Sequence, residues 1–415
     1  MATTRRLDSI VAVPSPTLMG TLRRAGIAAA AILGLIGLAY RFALAYRVRA
    51  GYPRRQAPTI TPADLGLAYE SMAIQSDGVS LPAWFIPARN GERGPGVVLV
   101  HGWESARDRT LPLAVFLNAA GFHCLTFDVR GNGANPAEEL PLSAGEFGDD
   151  ALAAFHALIE QPEVSVGGIV GHSMGGVGSL LAAAADPRVG AVAATSTPAG
   201  PYRLTRLTFR LAHLPIADPI AYPLAWLTTH IYLRPRHHLV RDVSAIAAIA
   251  RYDGPVLLAH GDQDDVVPIS HLERLAATGR GARVGEPDPA PVETIVIPGG
   301  RHSWLYEDAA YRRAVASFLA RSLGGPYEPE DAGERAAATE AQRIPDAETA
   351  FAGTSVTPGG FRTLASVALP GATRRLPEQG LELGRETIEL EGESEPEGQR
   401  APEAPADESR SEVAS

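Results

Sequence analysis

Apolar and polar positions change period several times along the chain, and each change predicts an element. Ala68–Gln75 and Val79–Ile86 predict two strands flanking Ser76-Asp77-Gly78, the composition of a hairpin turn. Gly96–Val100 is continuously apolar, as expected of a strand covered on both faces. A helical stretch follows over Leu111–Ala120, then a strand around Cys124, then an amphipathic helix over Glu146–Ile159. Val164–Val170 predicts another buried strand, which breaks at Gly171–Gly176 and gives way to a helix over Val177–Ala184. Val189–Thr195, Gly254–His260 and Glu293–Ile297 predict three more strands, and Asp308–Leu323 a closing helix. Strands alternating with helices indicate an α/β fold, a mostly parallel, doubly wound sheet with helices on both faces.

One segment interrupts that alternation. From Pro198 to about Ile249 there is helical apolar content with repeated prolines (Pro201, Pro215, Pro219, Pro223, Pro235) and recurring aromatics (Tyr202, Phe209, Tyr222, Trp226, Tyr232). An insertion after the sixth strand lies over the strand ends, where open α/β sheets bind ligands. It therefore predicts a cap over about 198–250 lining an apolar pocket, with Phe209 and Trp226 as candidate substrate-binding residues. A helical excursion packed on the body is the competing reading.

The two ends differ from the middle. Ala25–Tyr46 is apolar except for Arg41; as a helix it would span about 33 Å, enough for a hydrocarbon core of about 30 Å. We read residues 1–24 as a leader and 25–46 as a single-pass anchor, with Arg41 snorkelling. A signal peptide cleaved at Ala43-Leu44-Ala45, which would make the protein secreted, and a buried helix are the alternatives. Arg47, Arg49, Arg54 and Arg55 outnumber Arg23 and Arg24 and favour a cytoplasmic C-terminal domain. After Tyr327 the chain turns to Glu, Ala, Pro, Gly and Arg, with 19 acids against 8 arginines from Glu328 on. Such a segment buries too little apolar surface to offset its ordering entropy, so residues 327–415 are expected to be a disordered acidic tail. Phe351–Leu369 is its least polar stretch and the one part with the composition to dock.

Composition narrows the function classes. The net charge of −10 resides in that tail and says nothing about the substrate, and no basic patch with interleaved aromatics points to nucleic acid. Cys124 is the single cysteine, which excludes an intrachain disulfide and fits an inert core thiol. The 415 residues allow two or three domains, but the pattern supports one folded domain over 61–324. Oligomeric state is not written in any of these features.

The candidate chemistry begins at Gly171-His172-Ser173-Met174-Gly175, a G-x-S-x-G placed between a strand and a helix. Glycines on either side remove collisions at a turn that tight and leave the Ser173 hydroxyl raised at a helix N-terminus. A serine hydroxyl is a poor nucleophile unless a base takes its proton during attack. His302 follows a strand in the loop Gly299-Gly300-Arg301-His302 and titrates near neutrality, so it suits that role. An acid must hold the imidazole's tautomer; Asp262, Asp264 and Asp265 follow the strand ending at Gly261. Cap histidines His213, His230, His237 and His238 match no metal-ligand spacing, and no metal or organic cofactor is called for.

With these motifs in this order the sequence resembles the α/β-hydrolase family from about Ala68 to Leu323: His101-Gly102 after the third strand, Gly171–Gly175 after the fifth, Gly261-Asp262-Gln263-Asp264 after the seventh and His302 after the eighth. The resemblance implies a nucleophile elbow at Ser173, a Ser173–His302–Asp264 triad, and an oxyanion hole from the backbone N–H groups of Trp103 and Met174. It favours Asp264 over its two neighbours, since the family places the acid three residues after the glycine. His101 and His260 would fix loops, and Asp128, Arg130 and Gly131 would form an ion-paired loop anchor. A serine at position 173 excludes the aspartate nucleophile of dehalogenases and epoxide hydrolases. The implied activity is hydrolysis of carboxylic esters, small-molecule or lipid, through an acyl-enzyme. Amide, peptide and thioester cleavage use the same triad, and a non-catalytic membrane scaffold with the tail as docking arm is the reading from another class.

Overall fold

The computed structural model describes residues 16–342 apart from Asn90, Ala212 and His213. Its strands are β1 (Glu70–Ser76), β2 (Val79–Ile86), β3 (Gly94–Val100), β4 (His123–Phe127), β5 (Val164–His172), β6 (Val189–Thr195), β7 (Val256–Gly261) and β8 (Val292–Ile297). The helices are α1 (Pro16–Ala50), α2 (Leu111–Ala119), α3 (Ala144–Ile159), α4 (Met174–Ala185), α5 (Pro201–Leu211), α6 (Asp218–Leu233), α7 (Ala245–Ile249), α8 (Ser270–Ala282), α9 (Ala309–Leu323) and α10 (Pro329–Ala337). The strands form one sheet ordered β1-β2-β4-β3-β5-β6-β7-β8, antiparallel through the β1–β2 and β2–β4 pairs and parallel from β4 to β8. Asp77 and Gly78 both take positive φ (45° and 79°) in the β1–β2 turn, the twist-matched geometry of a two-residue hairpin. All eight predicted strands are present.

Two apolar layers sandwich the sheet. One joins its Val98, Val100, Leu125, Ile169 and Val192 face to α3, α4, α7 and α8; the other joins Val97, Leu99, Val170 and Leu257 to α2, α9 and α10. Each fully buried aromatic in these layers, such as Phe147 under α3 or Phe318 under α9, contributes roughly 1.5–3 kcal/mol of burial. Helix α3 starts where Ser143 closes a capping box: Gly145 N–H donates to its Oγ at 3.1 Å and its own N–H donates to Glu146 Oε2 at 2.6 Å.

Two helices went unread in the sequence. Helix α8 lies between β7 and β8, its inward positions Leu272, Leu275, Ala276 and Gly279 spaced as a helical stripe but diluted by Arg, Thr and Gly. Helix α10 corrects the boundary of the expected tail. Residues 329–337 are helical, Ala332 and Ala336 are buried against α9 and α2, and the Ala336 and Ala337 carbonyls accept from the buried Arg312 guanidinium at 3.1 and 2.9 Å. The physical reason is that alanines four apart make a flat strip for close helix packing, and capping of a buried guanidinium holds it there. The remainder of the tail, Phe351–Leu369 included, and residues 1–15 of the leader lie outside the described residues.

Helix α1 is 35 residues long and contains the one segment among the described residues long and apolar enough to cross a membrane, Met19–Val48, with mean hydropathy 2.0. Leu33 and Leu35 are each 67% exposed to the surroundings. Burial begins only at Ala43, Ala45 and Tyr46, where α1 meets α5 and α6 of the cap. Phe42 and Tyr46 each place a ring 5.6 Å from Phe209, edge to face, and Tyr46 Oη lies 2.5 Å from Thr208 Oγ1. The last four residues of the expected 25–46 span are thus held by protein.

A chain ending at Leu323 is expected to melt below one ending at Gln342, by about 5 °C, since the truncation strips two acceptors from the buried Arg312 and uncovers the face under Ala332 and Ala336. Equal melting temperatures by circular dichroism would contradict the assignment of α10 to the folded domain.

Candidate active site

Ser173 sits at the sharp join of β5 and α4 with φ 54° and ψ −116°, a region that costs a non-glycine residue of order 1–3 kcal/mol. The surroundings enforce it. A Cβ on Gly171 would run into the Gly175 carbonyl and Ser179 Oγ, and one on Gly175 into the carbonyls of Val100 and His101. Side chains at either position would force β3, β5 and α4 apart. The Ser173 N–H donates to the Thr195 carbonyl at 2.8 Å and ties the turn to the end of β6.

The structure brings the three residues of the expected triad together. His302 Nε2 lies 3.1 Å from Ser173 Oγ, and its Nδ1 lies 2.9 Å from Asp264 Oδ2; all three side chains belong to buried residues. A carboxylate accepts and cannot donate, so its position fixes the proton on Nδ1 and leaves the Nε2 lone pair facing the serine hydroxyl. Asp264 Oδ1 accepts from the N–H groups of Val266 and Val267 at 3.0 and 2.7 Å. Burial opposes ionisation of this carboxyl, but donors from His260, His302 and Val267 outweigh it and hold the group well below the usual carboxylate range. The neighbouring acids are elsewhere: Asp262 is exposed and accepts from Gly299 N–H at 2.7 Å, and Asp265 is exposed.

Three further histidines support this arrangement. His260 Nε2 lies 2.7 Å from the Val267 carbonyl and 3.3 Å from Asp264 Oδ2, bracing the acid's loop. His172 donates from Nε2 to the His302 carbonyl at 2.8 Å, with the two rings 4.9 Å apart; burial and then the His302 charge push it down to about 4, so it stays neutral. His101 donates from Nδ1 to Gly102 O at 2.7 Å and accepts at Nε2 from Val129 N–H at 3.0 Å. That pins Gly102 against the elbow, with Ser173 Cβ only 3.4 Å from where a Gly102 Cβ would be. Trp103 follows directly, its ring stacked 6.1 Å from Phe147. Met174 is the first residue of α4, and the leading N–H groups of a helix lack intrahelical partners.

The expected Asp128–Arg130 anchor resolves into two separate pairs. Asp128 takes the Arg107 guanidinium, the Arg107 N–H at 2.7 Å and the Ala134 N–H at 2.9 Å, while Arg130 binds Asp150 with Nε at 2.9 Å and Ser76 Oγ with Nη2 at 2.8 Å. Residues two apart in the turn after β4 point to different sides, so each finds a partner across the chain instead of the other.

Two cavities meet at Ser173 and Trp103. The larger extends under the cap and is lined by Met174, Leu204, Leu207, Thr229, Tyr232 and, from α1, Tyr46. Among the described residues no charged side chain lines it. The smaller lies on the His302 side and includes Arg109, Trp304 and Tyr306. Phe209 and Trp226 line neither, which corrects both expected substrate contacts. Phe209 is fully buried between Phe42 and Tyr46, and Trp226 is 53% exposed, with its ring 4.3 Å from His230 on the outer face of α6. Aromatic content announced an apolar cap without saying which face of each helix turns inward. The true lining, Leu204, Leu207, Thr208 and Leu211 on α5, does follow a spacing of three and four.

A family model described as the alpha/beta hydrolase family matches residues 97–318, and with this sheet order and serine elbow the chain belongs to that family. An uncharacterized protein of Mycobacterium tuberculosis is 30% identical over 271 residues, covering 64% of this chain and 83% of its own. The Arabidopsis thaliana alpha/beta hydrolase domain-containing protein WAV2 is 30% identical over 286 residues, covering 65% and 83%. Among solved structures, the Pyrococcus furiosus esterase Pf2001 superposes with a TM-score of 0.52 at 21% identity, over 66% of this chain and 99% of that one, a likeness of fold.

Buried neutral imidazoles give the site a defined acid sensitivity. Burial lowers His101, His172 and His271, the last two to about 4, whereas Glu146 raises His238. Where folded pKa values lie below the unfolded value of about 6.5, the unfolded chain binds more protons and stability falls as pH drops through that window; the single raised His238 opposes four lowered groups, His123 being the fourth. Urea midpoints are expected to fall steadily from pH 6.5 to pH 4.5, and less so in His271→Gln. A flat profile across that range would contradict the burial of these rings as neutral species.

Proposed function

We propose that this chain is a membrane-anchored serine hydrolase that cleaves carboxylic esters carrying an apolar acyl group. The observation that carries the proposal is the relay itself, Ser173 Oγ to His302 Nε2 at 3.1 Å and His302 Nδ1 to Asp264 at 2.9 Å, opening onto an uncharged cavity. As Ser173 Oγ attacks the acyl carbon, His302 Nε2 takes the hydroxyl proton. The negative charge that develops on the carbonyl oxygen is met by the N–H groups of Trp103 and Met174. Collapse of the tetrahedral species expels the alcohol, which takes the proton from His302, and leaves an acyl-Ser173. Water then attacks that ester with His302 again as base, releasing the acid and restoring the serine. Asp264 keeps the imidazole's tautomer and offsets its charge while the proton is held.

The cavity's lining favours an apolar acyl group over a peptide amine, which would call for an acidic partner. The anchor reading is supported by the continuity of α1 through Ala50 and by the burial of Ala43, Ala45 and Tyr46 in the cap, since cleavage after Ala45 would detach a helix the cap packs on. The arginines after the span favour a catalytic domain on the cytoplasmic side.

A fluorophosphonate probe is expected to label the full-length protein at Ser173, and Ser173→Ala is expected to lose labelling together with about 10³-fold or more of the p-nitrophenyl butyrate kcat. His302→Ala should fall comparably, without adding to the Ser173→Ala loss in the double variant. Equal labelling of wild type and Ser173→Ala, or no turnover of any ester by wild type, would sink the serine hydrolase reading in favour of a scaffold.

A further inference from the structure

Helix α1 does two different things along its length. Its first part is apolar and uncovered, and its last turns are built into the cap. The change falls within one turn: Leu38 and Tyr40 are 53% and 45% exposed, whereas Ala43 is fully buried and Tyr46 nearly so. Those last turns do not simply rest on the outside of the cap. Tyr46 and Ala50 line the same cavity that contains Ser173. Tyr46 is held in place on three sides, by Phe209 and Tyr232 rings at 5.6 and 5.9 Å and by the Thr208 hydroxyl at 2.5 Å. The Tyr232 hydroxyl in turn donates to the Ala50 carbonyl at 3.2 Å and to the Leu142 carbonyl, tying the end of α1 to the loop before α3. Cap, anchor and catalytic domain therefore share one packed unit around the cavity.

From this we infer that the C-terminal turns of α1 are a wall of the acyl-binding site, and that Tyr46 and Ala50 set which acyl chains the enzyme accepts. The inference rests on the serine hydrolase reading and deepens it: the substrate class is an amphiphilic ester whose acyl chain lies against the same helix that would reside in the bilayer. Helix α6, which packs on α1, exposes Tyr222 and Trp226, one turn apart on one flank, at 41% and 53% and Ile220 at its N-terminal end at 66%. An exposed apolar face beside a membrane helix, with aromatic residues that suit the interfacial region, sets the cap at the depth where a lipid's ester linkage lies. An acyl chain leaving the bilayer beside α1 would then meet protein along the same helix, without crossing water.

Shape alone carries the selectivity, since every methylene accommodated contributes about 0.8 kcal/mol, near fourfold in rate. Removing the Tyr46 ring makes room for several more, and enlarging Ala50 takes room away from the same wall. The test uses full-length protein in detergent micelles, with a p-nitrophenyl ester series from acetate to palmitate and rates expressed per fluorophosphonate-titrated serine. Tyr46→Ala is expected to raise the kcat/KM ratio of laurate to butyrate by about tenfold or more. Ala50→Leu is expected to lower the same ratio by a similar factor, and it decides the matter alone if Tyr46→Ala yields no titratable serine. Chain-length profiles parallel to wild type in the titratable variants would overturn the inference while leaving the hydrolase reading intact. Absence of any titratable serine in wild type would instead remove the reading on which both depend.

Discussion

Everything at this site depends on a backbone that would not choose its own conformation. Ser173 is held at positive φ because two glycines let β3, β5 and α4 approach to contact, and no looser packing would keep it there. The strain has a chemical use. It lifts one hydroxyl off the end of the sheet and places a helix N-terminus directly behind it, so the nucleophile and oxyanion donor that we propose, Ser173 and the Met174 N–H, are consecutive residues. The stability of the whole α/β sandwich is what holds a turn that costs of order 1–3 kcal/mol. His101, His172 and His260 extend the same rigidity to the neighbouring loops, the first and last as buried rings and His172 as a half-buried one, each with a specified hydrogen-bond partner.

The parallel sheet explains why three residues spread over 129 positions of the chain converge. Ser173, Asp264 and His302 follow β5, β7 and β8 at the same edge of the sheet. The cap, inserted after β6, then lies above that edge and gives the rim an apolar cover. The N-terminal helix α1 adds Tyr46 and Ala50 to the wall of the cavity beneath it. Phe42 and Tyr46 pack on Phe209 of the cap, so the element that reads as an anchor also shapes the site.

Much of this was legible from residue order, because strand cores, an elbow flanked by glycines and a loop histidine are local signals. Seven of the eight strands follow from apolar runs and the first from its hairpin turn. The loops they end in point to Ser173 and His302, whereas Asp264 is singled out from Asp262 and Asp265 only by the family resemblance. What escaped was set by long-range packing. Helix α8 shows its stripe only once Gly279 is allowed on the buried face, and α10 packs through alanines that carry almost no hydropathy signal. Asp128 and Arg130 read as an ion-paired loop anchor, but which partners they take, Arg107 and Asp150, is visible only in space. Phe209 and Trp226 illustrate the reverse error: large aromatics drew attention, while the cavity is lined by Leu204, Leu207, Thr229 and a tyrosine buried in an apolar run that reads as lipid-facing.

The central claim is that Ser173, His302 and the two N–H groups act on one carbonyl. The most direct measurement is a crystal structure of the protein after reaction with a p-nitrophenyl alkylphosphonate, a mimic of the tetrahedral species. The account predicts phosphorus bonded to Ser173 Oγ, its oxygen about 2.7–3.1 Å from the N–H groups of both Trp103 and Met174, and the alkyl chain running under the cap toward Tyr46. Phosphorus on another residue, or an oxygen turned away from those two donors with the elbow intact, would contradict it.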